Sequence, residues 1–373
     1  MLNRSITFAK KLELRWPVII QAPMAGGITT PSLVATVSNK DCLGSFATGY
    51  LPAEKVRNGI REIKALTKKA FAVNLFIPNK FNINIEQARA YQHLLNNFRR
   101  KLKMAEEDDL PSPLLPKDNL DNIVDILLEE EIRIISFTFG TLPKEYIRRF
   151  KNKNVYLIGT ATSLDEAKIL ADQETDAIIV QGHEAGGHRG GFFTPERSAS
   201  IGNMALIPSA VDAVKCPVIA AGGIMDGRGI IAAIALGAAG VQMGTAFLTT
   251  KESGANSTYK EELCKAKTCN DDATTLTKAY SGKLARGLQT DFIKTIEEST
   301  ISIPSYPTPH YLSTNIRKEA ANQKQRDMMS MWSGQGVPLI RQEISTEKFL
   351  DELFTEVDTL LSDISTSQLK KKI

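Results

Sequence analysis

The sequence predicts an α/β protein folded as a parallel (β/α)8 barrel, also called a TIM barrel, and three observations lead to this prediction. Short apolar runs recur along the 373 residues, each run ends in glycine or a polar turn, and each is followed by a segment with helical character. Strands buried on both faces have this composition, and their alternation with helices indicates parallel βαβ units. Eight consecutive units close a barrel, so a doubly wound open sheet is the less favoured alternative.

The predicted strands share a short apolar run that ends at a turn. In chain order they are Pro17–Ile20, Leu43–Phe46, Phe71–Leu75, Ile134–Phe137, Val155–Gly159, Ala177–Val180, Pro217–Ala220 and Gly240–Met243. Residues typical of helix N-termini lie between these predicted strands. Thr30 precedes a proline at the first turn, and Ser163 and Glu166 have the spacing of a capping box.

Two segments interrupt the repeat, one after the third strand (about 79–120) and one after the eighth (251–335). Both insertions lie at the C-terminal face, where the loops of a barrel build the active site. We therefore expect them to form a lid or a small second domain over the barrel mouth. The barrel itself is assigned to residues 1–250, and residues 336–373 to a C-terminal helical segment and tail.

Composition excludes several classes of protein. Hydrophobic residues make up 42% and charged residues 24% of the chain, as in globular rather than disordered or fibrous proteins. A net charge of +4 is too small to indicate nucleic acid or an anionic membrane as a partner. Without a secretory signal or a long apolar run, we expect a cytoplasmic protein whose 4 cysteines are reduced thiols.

The densest chemical signal is the loop directly after the sixth strand, Gln181–Gly190. It reads Gln-Gly-His-Glu-Ala-Gly-Gly-His-Arg-Gly and includes the adjacent pair Gly186 and Gly187. Glycine allows a positive φ and a close approach of the backbone to a ligand, so the loop is predicted to bind a ligand. His183 and His188 are spaced in a way that does not indicate a metal site, and no metal is expected.

Glycines also follow the seventh and eighth strands, at Gly222–Gly223 and Gly244–Thr245. In parallel barrels the backbone N–H groups at these two positions commonly hold a phosphate. No Gly-x-Gly-x-x-Gly fingerprint is present, so a tightly bound dinucleotide is not expected. After the first strand, Gln21-Ala22-Pro23-Met24 offers an apolar wall for a flat ring system. Asn74, at the end of the third strand, supplies an amide that can donate and accept hydrogen bonds.

Together these motifs resemble nitronate monooxygenase, formerly called 2-nitropropane dioxygenase, and in particular its class I branch. The resemblance extends from about Pro17 to about Gln335. The segments that carry it are Gln21–Gly27, Gly159–Ser163, Gln181–Gly190, Gln242–Thr245, Ser281–Gly287 and Trp332–Gly336.

The resemblance implies an FMN-dependent barrel enzyme that oxidises alkyl nitronates with O2 to a carbonyl product and nitrite, by one-electron transfer to flavin. Propionate 3-nitronate is the expected substrate. The positions that match FMN-binding residues of the family are Asn74, Gln181, Gly186, Gly223, Gln242, Met243, Gly244 and Thr245. Neighbouring motif residues complete the predicted cofactor site: Gln21, Ala22, Pro23, Met24, Gly187 and Gly222.

His188 matches the active-site histidine of the family, while His183 is expected to be peripheral. An imidazole with an ordinary pKa near 6.5 could donate a hydrogen bond to the nitronate oxygens or act as a general base toward neutral nitroalkanes. Tyr306 and Tyr311, in the second insertion, are predicted to close the substrate pocket. Expected partners are the nitronate and O2, and the expected quaternary structure is a monomer or a homodimer.

Three alternatives share part of this pattern. A flavin-dependent enoyl-acyl-carrier-protein reductase has a similar barrel and a similar Glu-Ala-Gly-Gly-His loop but is reduced by NAD(P)H; the motif Gln21–Gly27 favours the monooxygenase. Another FMN or phosphosugar barrel, such as an inosine-phosphate dehydrogenase relative, would need a catalytic cysteine after a strand, whereas Cys42 and Cys216 precede strands. A non-catalytic flavin-binding or phosphate-binding protein would have no need of His188.

Overall fold

The computed structural model describes residues 2–78, 81–112, 119–195, 198–268 and 273–366. A sheet of 8 parallel strands forms the predicted barrel, in the spatial order β1-β9-β8-β6-β5-β4-β3-β2. These strands are β1 (Val18–Gln21), β2 (Ser45–Ala47), β3 (Ala72–Phe76), β4 (Ile134–Thr138), β5 (Tyr156–Ala161), β6 (Ala177–Gln181), β8 (Val218–Ala221) and β9 (Gly240–Met243). Each begins and ends within 2 residues of its predicted position.

The two ends of that strand order, β1 and β2, meet at a backbone bridge between Ile20 and Leu43. The Leu43 N–H donates to the Ile19 carbonyl and the Gln21 N–H donates to the Leu43 carbonyl, each at 3.0 Å. The Gln21 side chain reinforces this seam, because its Oε1 accepts from the Ser45 N–H at 3.1 Å. The sheet therefore closes between β1 and the start of β2, and the open doubly wound alternative is wrong.

The inward-facing side chains change from apolar to polar along the barrel. Side chains alternate between the two faces of a strand, so one set points into the barrel and the next toward the helices. The lower interior is apolar and is covered by α1 (Leu2–Lys11); it includes Phe8, Ile20, Ile158, Ile179 and Ile219. At the C-terminal ends the same alternation turns polar side chains inward: Asn74, Ser136, Thr160, Gln181 and Gln242. This polar layer forms the floor of the barrel mouth.

Helices surround the barrel. Those that follow the first seven barrel strands are α2 (Pro31–Asn39), α3 (Ala53–Leu66), α5 (Leu120–Glu129), α6 (Lys144–Lys151), α7 (Leu164–Asp172), α8 (Asn203–Ala213) and α9 (Gly227–Ala235). The predicted caps are present, since the side chains of Thr30 and Ser163 accept from the first turns of α2 and α7. The last helix, α13 (Thr346–Thr366), packs between α2 and α9. The ring of helices is thus completed from beyond residue 250.

The two predicted insertions pack against each other. In the first, α4 (Ile85–Lys101) lies on α12 (Thr308–Asn322) of the second. The buried Arg99 of α4 donates to the Leu312 carbonyl at 3.2 Å and pairs with Glu107 at 2.9 Å. The second insertion also contains α10 (Ser257–Ala266) and α11 (Asp291–Glu297).

A small antiparallel sheet joins the second insertion to the barrel. Its strands are β10 (Thr274–Thr277), β11 (Ala285–Leu288) and β7 (Gly187–His188), in the order β10-β11-β7. Because β7 belongs to the glycine-rich loop after β6, this sheet fixes His188 opposite Ala285. The insertion therefore takes part in positioning the predicted active-site histidine.

Cys42, Cys216 and Cys264 are free thiols. Cys269 lies outside the described residues, as do residues 79–80 and 113–118 of the first predicted insertion and residues 367–373 of the predicted tail. None of the described helices combines the length and apolar character that crossing a membrane requires.

Glu166, at the start of α7, ties the loop after β6 to the barrel wall. The fully buried carboxylate accepts from the backbone N–H groups of Phe192, Phe193 and Thr194 at 2.7, 2.9 and 3.1 Å through Oε1. Its Oε2 accepts from the Thr162 N–H at 2.7 Å and from the Thr162 hydroxyl at 2.8 Å. One side chain thus organises two of the loops at the barrel mouth.

Replacing Glu166 by alanine removes the acceptor from all of these donors. We expect Glu166→Ala to lower the free energy of unfolding by about 3 kcal/mol, the range for a disrupted buried hydrogen-bond network. Urea denaturation of the purified proteins measures the change. Lys168→Ala, an exposed change on the same helix, is the control and should alter the free energy by less than about 0.5 kcal/mol. Equal stability of Glu166→Ala and the parent would contradict the anchoring role.

Candidate active site

The glycine-rich loop after β6 is folded around two of its own side chains. Gln181 donates through Nε2 to the His188 carbonyl at 3.0 Å and accepts through Oε1 from the Gly190 N–H at 2.8 Å. Arg189, only 2% exposed, donates to the carbonyls of Gly182, Gln181 and Ala199 at 2.6, 3.0 and 3.0 Å. These bonds fix the loop, so that Gly186, Gly187 and His188 are presented at the mouth.

Glycine backbones from separate segments converge beside this loop. A Cβ on Gly186 would lie 2.5 Å from the Gly334 nitrogen, and the Gly334 N–H donates to Thr245 Oγ1 at 2.9 Å. A Cβ on Gly336 would lie 3.1 Å from the Gly223 carbonyl oxygen. Side chains larger than hydrogen would force these segments apart. The loops after β6, β8 and β9 and the segment at residue 334 thus form one close-packed cradle.

Three glycines of the cradle have positive φ angles, and one of them borders open space. Gly187, Gly222 and Gly223 have φ of 73°, 115° and 70°, a region that favours glycine. Apart from its neighbours in the chain, no described residue lies within 4 Å of the position that a Cβ on Gly187 would take. A backbone without side chains beside open space is a surface that an anion such as a phosphate can approach closely.

The predicted wall after β1 lies beside this cradle. A Cβ on Gly244 would be 3.5 Å from the Ala22 Cβ and 3.8 Å from the Met24 sulfur. Pro23, which lies between Ala22 and Met24 in the sequence, is half-buried. Met243 is only 1% exposed and packs outward into the core, so it offers its backbone alone. The Ala22–Met24 turn and the Gly244 backbone therefore form one continuous surface.

The polar floor of the mouth contains an acceptor without a donor. Asn74 donates through Nδ2 to the Ser136 hydroxyl at 2.9 Å, but its buried Oδ1 has no hydrogen-bond partner among the described residues. An unmatched buried acceptor costs about 1–3 kcal/mol, which a ligand N–H would relieve. Gln242 is half-buried and turned inward by strand alternation. Gln21 is 0% exposed, and its amide is engaged in the β1–β2 seam.

His188 stands in a group of aromatic rings. Its Nε2 lies 2.8 Å from the Ser281 hydroxyl oxygen. Its ring centroid is 5.4 Å from that of Trp332, 6.1 Å from that of Phe139 and 6.2 Å from that of Tyr306. We call these three rings the aromatic mouth. They come from the loop after β4 and from the second insertion, so that barrel and insertion enclose the imidazole together.

The imidazole of His188 is neutral, and the charges near it are positive. Burial, followed by repulsion from Lys283 and Arg317, lowers the pKa of His188 to about 3. The Lys283 ammonium lies 5.2 Å from the Phe139 ring centroid and donates to the Gly191 carbonyl at 3.2 Å. A neutral ring whose nearby charges are positive lies in a local potential that attracts an anion.

The two predicted pocket tyrosines lie at different depths. The Tyr306 hydroxyl is 3.4 Å from that of Tyr50, and its ring belongs to the aromatic mouth. The Tyr311 and His310 rings are perpendicular, with centroids 5.1 Å apart, and His310 stacks on Tyr50 with centroids 3.9 Å apart. Tyr306 therefore faces His188, whereas Tyr311 lies one layer further out.

Several residues of the site were missed by sequence reasoning. Tyr50 and Phe139 follow β2 and β4 with φ of 69° and 71°, a backbone conformation that is rare for bulky side chains and concentrates at functional sites. The one available signal was their position in loops at the C-terminal ends of strands, with Phe139 directly after β4 and Tyr50 a few residues beyond β2. Ser281 and Trp332 lie in segments that carry the family resemblance but had no assigned role. No feature of the sequence pointed to Arg317, which lies within α12.

A cavity of about 290 Å³ opens next to the aromatic mouth. Its lining includes Thr162, Arg189, Thr194 and Lys283 but not His188. The loop anchored by Glu166 forms one wall. The cavity is therefore adjacent to the aromatic mouth rather than part of it.

Comparison with known proteins relates this arrangement to one family. The sequence model of that family, described as nitronate monooxygenase, matches residues 9–356. A probable nitronate monooxygenase of Staphylococcus haemolyticus (strain JCSC1435) is 41% identical over 362 residues, which cover 96% of this chain and 98% of that protein. A probable nitronate monooxygenase of Staphylococcus aureus (strain Newman) is 42% identical over 325 residues, covering 87% and 89%.

Two solved structures share the whole architecture. A nitroalkane oxidase from Streptomyces ansochromogenes superposes with a TM-score of 0.86 at 33% identity and covers 96% of this chain and 99% of its own. FabK from Thermotoga maritima superposes with a TM-score of 0.74 at 26% identity, with coverage of 96% and 98%. The similarity therefore extends over the insertions as well as the barrel.

We expect His188 to stay uncharged from pH 8 down to pH 5, because burial and two neighbouring cations hold its pKa near 3. NMR of the purified, substrate-free protein labelled with 15N-histidine measures the charge directly. The His188 signals are assigned by their loss in His188→Asn. If the 15N chemical shifts of the His188 ring moved to imidazolium values between pH 8 and pH 5, the predicted neutral state would be wrong.

Proposed function

The chain belongs to the nitronate monooxygenase family, and from that premise we propose that it is an FMN-dependent enzyme that oxidises alkyl nitronates with O2 to a carbonyl product and nitrite. Membership makes it an oxidoreductase that acts on a small molecule. The observation that carries the proposal is the neutral His188 beside two cations at the edge of a glycine cradle. This arrangement suits an anion that already lacks its α-proton.

The residues at the mouth fit FMN. The glycine cradle, with the backbone of Gly186, Gly223 and Gly244, suits the phosphate. The unmatched Asn74 Oδ1 would accept from a ring N–H. Gln181, whose amide is bonded to its own loop, would support the cofactor by holding that loop in place. When bound, FMN would supply the redox chemistry for oxidation of the nitronate, and the protein would orient the reactants.

The low pKa of His188, about 3, distinguishes between two kinds of substrate. A neutral nitroalkane must first lose an α-proton, and an imidazole with this pKa is a weak base at neutral pH. A nitronate is already ionised and needs no base. The site therefore favours nitronates, and in this proposal His188 positions the substrate instead of removing a proton from it.

Ser281 is the hydrogen-bond partner of the His188 imidazole. Its Oγ lies 2.8 Å from His188 Nε2 and also donates to the Lys283 carbonyl at 3.1 Å. In this proposal the hydroxyl turns to donate to Nε2 when the anion binds, so that the imidazole proton resides on Nδ1 and the Nδ1–H group donates to a nitronate oxygen. Lys283 adds a positive charge near the same position. Together these groups hold the anion without any proton transfer.

The second insertion, residues 251–335, acts in this proposal as the lid on the substrate side. It supplies Tyr306 and the Ser281–Lys283 segment, and Trp332 covers the imidazole from the same side. Aromatic rings around His188 keep water away from it. Lower water content strengthens the electrostatic contacts of the nitronate with its neighbours.

The proposed reaction is tested by the flavin absorbance of the purified protein. We expect propionate 3-nitronate, added without oxygen or nicotinamide, to change the oxidised flavin spectrum. Admitting air should restore the spectrum and release nitrite. An unchanged spectrum with nitronate, together with bleaching by NADPH, would instead support an enoyl-acyl-carrier-protein reductase. Absence of any flavin band would overturn the cofactor assignment.

His188→Asn should keep FMN bound but lower kcat/KM for the nitronate by about 10-fold, because one positioning hydrogen bond is lost. Flavin content by absorbance and nitrite release by steady-state assay measure the two effects. His93→Asn, at an exposed position on α4, is the matched control and should behave like the parent. Turnover by His188→Asn at the parental rate would show that the imidazole does not contact the substrate.

A further inference from the structure

Asn203, the first residue of α8, lies behind the glycine cradle. Its buried side chain donates through Nδ2 to the Ala221 carbonyl at 3.1 Å and to the Gly222 carbonyl at 2.6 Å. Both partners are carbonyl oxygens, which only accept, so the amide atom that faces them is the nitrogen and not Oδ1. One side chain thus holds two successive peptide groups at the end of β8.

These two bonds determine which way two backbone N–H groups point. In a planar trans peptide group the C=O and the N–H lie on opposite sides. The carbonyls of Ala221 and Gly222 point toward Asn203, so the N–H groups of Gly222 and Gly223 point away from it. Neither N–H donates to any of the described residues. Successive N–H groups on one side of a turn form a concavity that binds anions.

The second of the two peptide groups is held by Asn203 alone. The Ala221 carbonyl also accepts from the Gly182 N–H at 2.8 Å, whereas within the described part of the chain the Gly222 carbonyl accepts only from Asn203. Rotation of a peptide group between two glycines meets little steric resistance, because neither residue has a Cβ. The direction of the Gly223 N–H therefore depends on the Asn203 amide.

Glu184, in the loop after β6, fixes Asn203 in turn. Its Oε1 accepts from the Asn203 N–H at 2.8 Å, and a carboxylate at the start of a helix is favourable. The Glu184 Cβ lies 3.2 Å from the position that a Cβ on Gly223 would take, so this side chain fills the space behind the glycine pair. The amide is thus in place before any ligand binds.

Asn203 is expensive for the fold. Its Oδ1 is buried and has no hydrogen-bond partner among the residues that the structure describes. An unmatched buried acceptor lowers stability, and such groups are rare in folded proteins. The amide therefore owes its place to the two donors it supplies, and those donors act on the part of the cradle that is open to a ligand, where Gly223 is exposed.

We propose that Asn203 is a positioning residue that makes this site selective for FMN over riboflavin. The inference rests on the proposed function, because it takes FMN as the ligand of the glycine cradle. Asn203 acts through the backbone, by directing the N–H groups of Gly222 and Gly223 toward the phosphate. Riboflavin has the same ring system and ribityl chain but no phosphate, so it gains nothing from these donors.

Competition between the two flavins tests this assignment without any turnover. The full-length protein is equilibrated with FMN and riboflavin in a known ratio, and the bound flavins are separated and quantified. We expect the parent to prefer FMN by at least about 100-fold, and Asn203→Ala to lower this preference by about 10- to 100-fold, because charge-assisted hydrogen bonds are lost. The affinity for riboflavin alone, measured by fluorescence quenching, should change less than about 3-fold.

Two further variants separate positioning from support of the fold. Asn203→Asp keeps the size of the side chain but removes the donor, and should lose at least as much of the preference. Asn322→Ala, the same change as Asn203→Ala at an exposed position at the end of α12, should retain the parental value. Equal losses of affinity for both flavins in Asn203→Ala would show that the amide only supports the fold. Equal binding of both flavins by the parent would overturn the proposal.

Nuclear magnetic resonance of the parent labelled with 15N-glycine follows the donors without any substitution. Exchanging bound riboflavin for FMN should move the amide proton signals of Gly222 and Gly223 downfield, because a hydrogen bond to phosphate deshields the proton. An unchanged Gly223 signal would overturn the proposal, also if the Asn203 variants failed to fold. Failure of the proposed function would appear separately, as a bound flavin whose absorbance no nitronate changes.

Discussion

The hydrogen bonds of Arg189 are the constraint on which the site depends. Its buried guanidinium binds the carbonyls of Gln181, Gly182 and Ala199, and so fastens the loop after β6 to the following loop. The amide of Gln181 bonds the same loop from its other side. A segment so rich in glycine has high conformational entropy when unfolded. These directional bonds oppose that entropy and give the loop a single shape.

The loop after β6, held in this single conformation, connects the barrel and the second insertion, which contribute different chemistry. The barrel provides glycine backbone and a polar floor, which suit a cofactor with a phosphate and a flat ring. The second insertion provides aromatic rings, a hydroxyl and cations, which suit a small anion. Pairing of β7 with β11 connects them, so that His188 belongs to the loop after β6 and is also held by the second insertion.

The electrostatics of the mouth follow from this division. The cations Lys283 and Arg317 lie near a histidine whose pKa is lowered to about 3 by burial and by their repulsion. A neutral imidazole is a poor base, and positive surroundings stabilise an anion. The same features that disfavour proton abstraction from a neutral nitroalkane thus favour a substrate that arrives already ionised.

The barrel could be predicted from the amino-acid pattern alone, because each strand is a local apolar run and parallel strands bring their C-terminal ends to one face. The glycine cradle followed from the same topology, since Gly186, Gly223 and Gly244 each come just after a strand. Only the tertiary structure placed Tyr50, Ser281, Trp332 and Arg317 around His188 and returned α13 to close the helical ring. These placements depend on how segments that are far apart in the sequence pack together. The periodicity of apolar residues predicts which side chains are buried, but not which distant segments meet.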